Sequence, residues 1–179
     1  TAVAPEGEYW VELYINDAAQ PAAQVGFTVR AVTEGSGATL GEFTEYTQTE
    51  GGFSINYPSD WYMSDQKDAL AVGFYPMDYY VDGDINSVFV IALKGNAAGY
   101  TLESAMDSWV SETVNDNLTN YKEISRATDT VNGNDISIFE YSWTKDGTDV
   151  YSIDFLLLKA NNLYVITFTS TQDELDTLY

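Results

Sequence analysis

Residues 133–170 hold three consecutive apolar runs joined by short polar turns, and few folds accept that arrangement. The runs are GNDISIFEYSWTK (133–145), DGTDVYSIDFLLLKA (146–160) and NNLYVITFTS (161–170). Their β-branched and aromatic residues fit a pleated, half-buried surface. Asp146-Gly147 and Asn161-Asn162 stand between the runs, where a tight hairpin needs φ > 0 and these residue types supply it. A three-stranded antiparallel meander is expected. Period-two alternation puts Tyr151, Ile153, Phe155 and Leu157 on one face of the second strand. Tyr164, Ile166 and Phe168 line one face of the third.

One amphipathic helix precedes the meander. Thr101 is suited to cap it, and Leu102, Ala105, Met106, Trp109 and Thr113 recur at helical spacing until about residue 117. Glu103, Glu112 and Asp116 point away from that stripe. The aromatic faces of the meander are expected to meet this helix. Further upstream, Phe53, Ile55 and Tyr57 alternate before Pro58, and Leu70, Val72 and Phe74 form a second strand. Residues 87–94 (SVFVIALK) are apolar on both faces, as an interior strand requires. Residues 121–131 form a strand leading to Asn132-Gly133. Strands, helix, strands make an α+β fold, an antiparallel β-sheet sandwiched with helices.

Three segments are expected. In residues 1–31, Tyr9, Val11, Leu13 and Ile15 alternate, as do Val25, Phe27 and Val29, which gives a β-hairpin over 8–31. Residues 32–50, rich in Gly, Thr and Glu, read as a linker. Residues 51–179 form the main domain, with a last helix opening at 171–179 (TQDELDTLY) and then stopping. A lone two-stranded hairpin is marginal in water. It must dock on the main domain, belong to a sandwich whose earlier strands lie outside the sequence, or add to a sheet in another chain. GEYWVELYIND and VGFTVRA resemble the closing hairpin of an immunoglobulin-like sandwich.

Composition removes whole classes of chemistry. The chain has no histidine and no cysteine, so disulfides, thiol catalysis, Cys/His zinc sites and Ser-His-Asp triads are excluded. Seven basic against 28 acidic residues give a net charge of −21. That balance argues against nucleic acid, which needs clustered Lys and Arg, and against anionic membrane surfaces. Few Lys, much Thr, Asn, Ser and Tyr, and no thiol fit an extracytoplasmic protein, secreted or at the cell surface.

Candidate sites follow from residue type and spacing. Asp78, Asp82, Asp84 and Asn86 offer oxygen ligands for a weak calcium site, the single cofactor considered. The EF-hand pattern itself fails, because Ser87 and Leu93 stand where Gly and Glu are needed, and a solvated turn explains the same residues. Tyr75, Met77, Tyr79 and Tyr80 form an aromatic cluster suited to anchor a protein partner, or to fold back onto the sheet. Asn117-Leu118-Thr119 is a glycosylation sequon. Glu140 and Asp154, on adjacent strands and both opposite the aromatic stripe, are the pair to weigh as glycosidase acids. Ion pairing with Lys145 and Lys159, or plain solvation, is the simpler account of them. Trp61, Trp109 and Trp143 belong to the core or its rim.

The segment Phe53-Ser-Ile-Asn-Tyr-Pro-Ser-Asp-Trp61, the helix around Trp109, Gly133-Asn134 opening a strand, Thr144-Lys-Asp-Gly147 and Tyr164-Val-Ile-Thr-Phe168 together resemble the PsbP-like family. That family includes extrinsic subunits of photosystem II, a Ran-binding protein and bacterial secreted or lipid-anchored proteins. The resemblance covers about residues 51–179 and carries no catalytic signature. It implies a non-enzymatic binding or assembly module with a protein partner or further copies of its own chain. The alternatives from other classes are a carboxylate-dependent extracellular glycan hydrolase and a structural subunit of an extracellular multimer.

Overall fold

The computed structural model describes residues 7–15, 23–29, 43–59, 61–66, 70–75, 87–94, 96–114 and 118–171. Strands dominate these residues. β1 (Gly7–Ile15), β2 (Ala23–Val29), β3 (Phe43–Gln48) and β4 (Phe53–Pro58) form one sheet in the order β2-β1-β4-β3. β5 (Tyr62–Gln66), β6 (Ala71–Tyr75), β7 (Ser87–Lys94), β8 (Thr119–Val131), β9 (Asn134–Lys145), β10 (Thr148–Lys159) and β11 (Asn162–Thr171) form a seven-stranded sheet. Its order is β5-β6-β7-β11-β10-β9-β8, and the strand pairings in both sheets are antiparallel.

The meander closes through two-residue turns. Asn132-Gly133, Asp146-Gly147 and Ala160-Asn161 all have positive φ at both positions, the twist that suits a tight hairpin. The third turn sits one residue earlier than the Asn161-Asn162 expected from sequence. Lys159 pairs with Asn162, so Asn162 is already in the strand. Ala160 therefore takes a left-handed conformation, φ 50°, that its Cβ disfavours.

Helix α1 (Leu102–Trp109) runs on into a π-helical segment, Val110–Val114. Thr101 caps it in a reciprocal box: its hydroxyl accepts from Ser104 N at 3.2 Å, and Ser104 Oγ accepts from Thr101 N at 2.9 Å.

Two apolar cores lie on opposite faces of the seven-stranded sheet. Ala105, Met106 and Val110 of the helical segment pack with Phe139, Tyr141, Leu156, Leu163 and Val165. On the other face, Phe53 and Ile55 of β4 pack with Ile136, Ile153, Leu157, Tyr164, Ile166 and Phe168. The order of layers is therefore helix, large sheet, small sheet. This corrects the expected helix contact: the stripe of Ile153, Leu157, Tyr164 and Ile166 meets β4, and the helix takes the opposite face. Both faces of β10 and β11 are apolar, so alternation alone carried no information about which partner each would meet. The expected sandwich with helices has one described helix and a second sheet in place of another. The last helix expected at 171–179 lies outside the described residues, apart from Thr171 in β11.

Part of the stretch read as a linker is β3, paired along its length with β4. One inward ring explains why so polar a segment is a strand. Tyr46 packs against Phe53 and Phe74, with centroids 6.5 and 6.1 Å away, while Phe43, Thr44, Glu45 and Thr47 are exposed at the sheet edge. Tyr46 also hydrogen-bonds Asp65 of β5, tying the small sheet to the edge of the large one. β1 pairs with β4 from Glu12–Asn56 to Ile15–Phe53, so the N-terminal hairpin extends the small sheet. Of the placements open to that hairpin, this is docking on the main domain.

Candidate functional site

Tyr75 is the described member of the tyrosine cluster, and it lies back on its own sheet. A Cβ at Gly73 would collide with its hydroxyl and ring, so the glycine is the space the ring occupies. Its centroid stands 6.5 Å from that of Tyr62, and burial raises the pKa of its phenol. Met77, Tyr79 and Tyr80, the calcium candidates Asp78, Asp82, Asp84 and Asn86, and the sequon residue Asn117 lie outside the described residues.

The two carboxylates weighed as an acid pair do not share a cleft. Glu140 registers with Ile153, and Asp154 registers with Phe139. Ile153 belongs to the core under the small sheet and Phe139 to the core under the helix. Paired residues point to the same side of a sheet, so Glu140 and Asp154 face opposite sides. This corrects the expectation that both lie opposite the aromatic stripe. Glu140 accepts from Ser125 Oγ at 2.9 Å, and Lys159 Nζ donates to Asn134 Oδ1 at 3.1 Å.

Asp154 is the unusual residue of the helix-covered face. It is 0 % exposed, and it is the one charged residue that is buried among the described residues. Trp109 Nε1 donates to its Oδ2 at 2.7 Å, the Tyr141 hydroxyl reaches its Oδ1 at 3.5 Å, and Thr167 hydrogen-bonds it from β11. These are neutral partners, and no described cation pairs with the carboxylate. Removal from water pushes the carboxyl up to about 6, and its hydrogen bonds hold it from rising further. The same burial, with the Asp154 charge alongside, raises the Tyr141 phenol. One register step away, Trp143 Nε1 donates to Ser152 Oγ at 3.1 Å, and Ser152 Oγ lies 2.9 Å from Thr169 Oγ1. A polar track thus crosses β9, β10 and β11 beneath the helix. Sequence signalled it weakly, through Ser152 and Asp154 interrupting the apolar alternation of β10.

The helix is held down at two points. Trp109 reaches the buried carboxyl, and exposed Asp107 pairs with Arg126 Nη1 at 2.8 Å. Arg126 also binds Glu123 through Nε and Nη2, both at 3.0 Å, and its guanidinium lies 5.2 Å from the centre of the Phe139 ring. Beside the helix, Ala97, Ala105 and Leu163 floor a shallow hollow of about 70 Å³. Tyr100, 46 % exposed, and Ser108 stand at its rim. The floor is apolar, and Asn96, Ser108 and Glu112 complete the lining, with Ser108 Oγ donating to Glu112 Oε1 at 2.7 Å. Among the described residues, no cluster of acids could hold a metal ion.

The architecture is that of a PsbP-like protein. The chain is similar to the solution structure of cyanobacterial PsbP (CyanoP) from Synechocystis sp. PCC 6803, with a TM-score of 0.60 and 16 % identity over 82 % of this chain and 90 % of that one. Two further structures match with TM-scores of 0.48. One is PA94, a protein of unknown function from Pseudomonas aeruginosa, at 18 % identity over 76 % of this chain and 88 % of that one. The other is LpqN, involved in cell envelope biogenesis of Mycobacterium tuberculosis, at 15 % identity over 77 % of each chain. No curated protein sequence matches the chain. The profile of one family, described as the serine/threonine kinase C-terminal domain, covers residues 45–179. The chain belongs to the serine/threonine kinase C-terminal domain family.

Proposed function

We propose that this chain is a non-enzymatic, extracytoplasmic binding or assembly module of a serine/threonine kinase, acting through protein–protein contacts. One observation carries the reading. The single buried charge among the described residues is closed in beneath a helix, and its nearest rival as a catalytic partner faces the other side of the sheet. A glycosidase needs two acids across an open cleft. Phosphotransfer belongs elsewhere in such a kinase, since these 179 residues contain no histidine and so no His-Arg-Asp catalytic loop. Among the described residues, no helix is long and apolar enough to cross a membrane.

The contact surface proposed is the segment that follows Tyr75, through Met77, Tyr79 and Tyr80. Tyr75 anchors its start over Gly73. Large, few-rotor aromatic rings suit such a surface. Asp78, Asp82, Asp84 and Asn86 are proposed as a weak calcium site in the same segment.

Deleting residues 43–171 from the intact kinase tests the function. Phosphotransfer to a generic substrate should stay within about twofold, while the kinase loses its higher-mass complex in native gels of cell extracts. Loss of phosphotransfer with the complex retained contradicts the reading. So does turnover of a glycan by the purified chain.

A further inference from the structure

Helix α1 is short, and its buried polar tie to the sheet is a donor placed on a carboxyl with no cation. The cost of burying a charge is large unless an opposite charge offsets it. Here the compensation comes from an indole, a phenol and a threonine hydroxyl. Those donors favour the carboxylate but offset only part of the cost of holding it out of water beneath the helix, with no described cation beside it, so it is burial under α1 that disfavours the charge.

We propose that the Asp154 carboxyl and the Trp109 indole form a proton-controlled latch on helix α1: the neutral carboxyl holds the helix down, and ionisation loosens it.

Each element around Asp154 bears on this. From α1 comes Trp109, which does not titrate, while Asp107 is exposed and bound to Arg126. From β9 comes Tyr141, and from β11 Thr167. From β8, Tyr121 feels the Asp154 charge, and its hydroxyl is buried with no described partner. Arg126, also on β8, is committed to Asp107 and Glu123. Among the described residues, neutral rings and hydroxyls line the site.

The end of the helix is suited to give way. After Trp109 the backbone changes to a π-helical segment, a form found as single turns in helices and frequent at functional sites. When α1 lifts, the hollow changes with it, because Ala105 and Ser108 are helix residues. The latch needs no partner to operate, so its test is independent of the binding function proposed above.

With the carboxyl at about 6 under the helix and at 3.8 in water, the helix-opening constant should rise about tenfold between about pH 5 and pH 7.5. Two readouts on the whole chain test this. The Trp109 Nε1–H resonance, assigned by its loss in Trp109→Phe, should titrate with a midpoint near 6 and be flat in Asp154→Asn. Hydrogen exchange of the α1 amides, corrected for intrinsic rate, should rise about tenfold over that range in the wild type and not in Asp154→Asn. Trp109→Phe should exchange fast at both pH values, which keeps the test available if Asp154→Asn does not fold. A flat Trp109 resonance overturns the proposal. So does a resonance that titrates with no change in helix exchange, because the carboxyl would then ionise in place.

Discussion

Trp109 Nε1 donates to Asp154 Oδ2 at 2.7 Å across 45 positions of sequence, and the bond joins the one described helix to β10, an interior strand of the seven-stranded sheet. A fully buried carboxyl with neutral partners has a stability signature in pH. Its folded value lies above its unfolded value, so its contribution is fully present below about 3.8, falls as pH rises, and is lost above about 6. Asp154→Asn keeps an acceptor for the indole and removes the titration. Relative to wild type, the variant should gain about 3 kcal/mol between about pH 3.5 and pH 7.5. Paired urea melts at the two pH values measure this, and the comparison cancels the remaining acids. An equal difference at both values would mean that Asp154 does not carry a raised pKa.

Gly73 and Tyr75 share a strand face, and the ring occupies the space that a methyl group would need. Gly73→Ala must push Tyr75 outward. A cost of about 1–3 kcal/mol is expected from overpacking. Thermal melts give the cost, and the pH at which the Tyr75 phenol ionises should fall towards its free value. A variant as stable as the wild type would show that the ring has free room.

Ala160 stands at φ 50° in the turn between β10 and β11. Asn tolerates that conformation better than any β-carbon without a local hydrogen-bonding group. Ala160→Asn should stabilise the chain by about 0.5–1 kcal/mol, read from the urea midpoint at unchanged slope. Destabilisation would place a different turn there.

Tyr46 and Asp65 join the two sheets at one edge. Asp65 Oδ1 is already buried without a partner among the described residues, so losing the Tyr46 hydroxyl leaves the carboxylate worse served. Tyr46→Phe should cost about 1–3 kcal/mol at neutral pH. Burial, then Asp65, pushes the Tyr46 phenol up to about 12. That stability is full below 10 and is lost as pH rises through 12, so the wild-type advantage over Tyr46→Phe should shrink on alkaline titration.

Much of this architecture is legible in the sequence. The meander, the Thr101 cap, the interior strand over 87–94 and the resemblance of fold all follow from alternation, capping chemistry and turn residues. What periodicity could not assign was which side of a strand apolar on both faces meets which layer. Alternation points the helix at Ile153 and Tyr164, whereas it covers Leu156 and Val165. β3 is hard to read from sequence because an edge strand with one inward ring, Tyr46, has almost no alternation to show. β5 has the same weakness, with five residues and no strong apolar period. Asp154 reads in sequence as one acid among many, because its burial depends on where the helix lies and no local pattern encodes that. Membership of the serine/threonine kinase C-terminal domain family is not visible in any short motif of residues 45–179.

The proposed role of the segment after Tyr75 is to hold another protein. Photocross-linking in living cells tests it most directly, with a benzophenone amino acid placed at Tyr79, at Tyr100 and at Ile124 of the intact kinase. The account predicts a discrete adduct from Tyr79 to a protein outside the cytoplasm, lost when Tyr80 is replaced by alanine. Adducts confined to cytoplasmic proteins, or no adduct at native expression from any of the three positions, would contradict it.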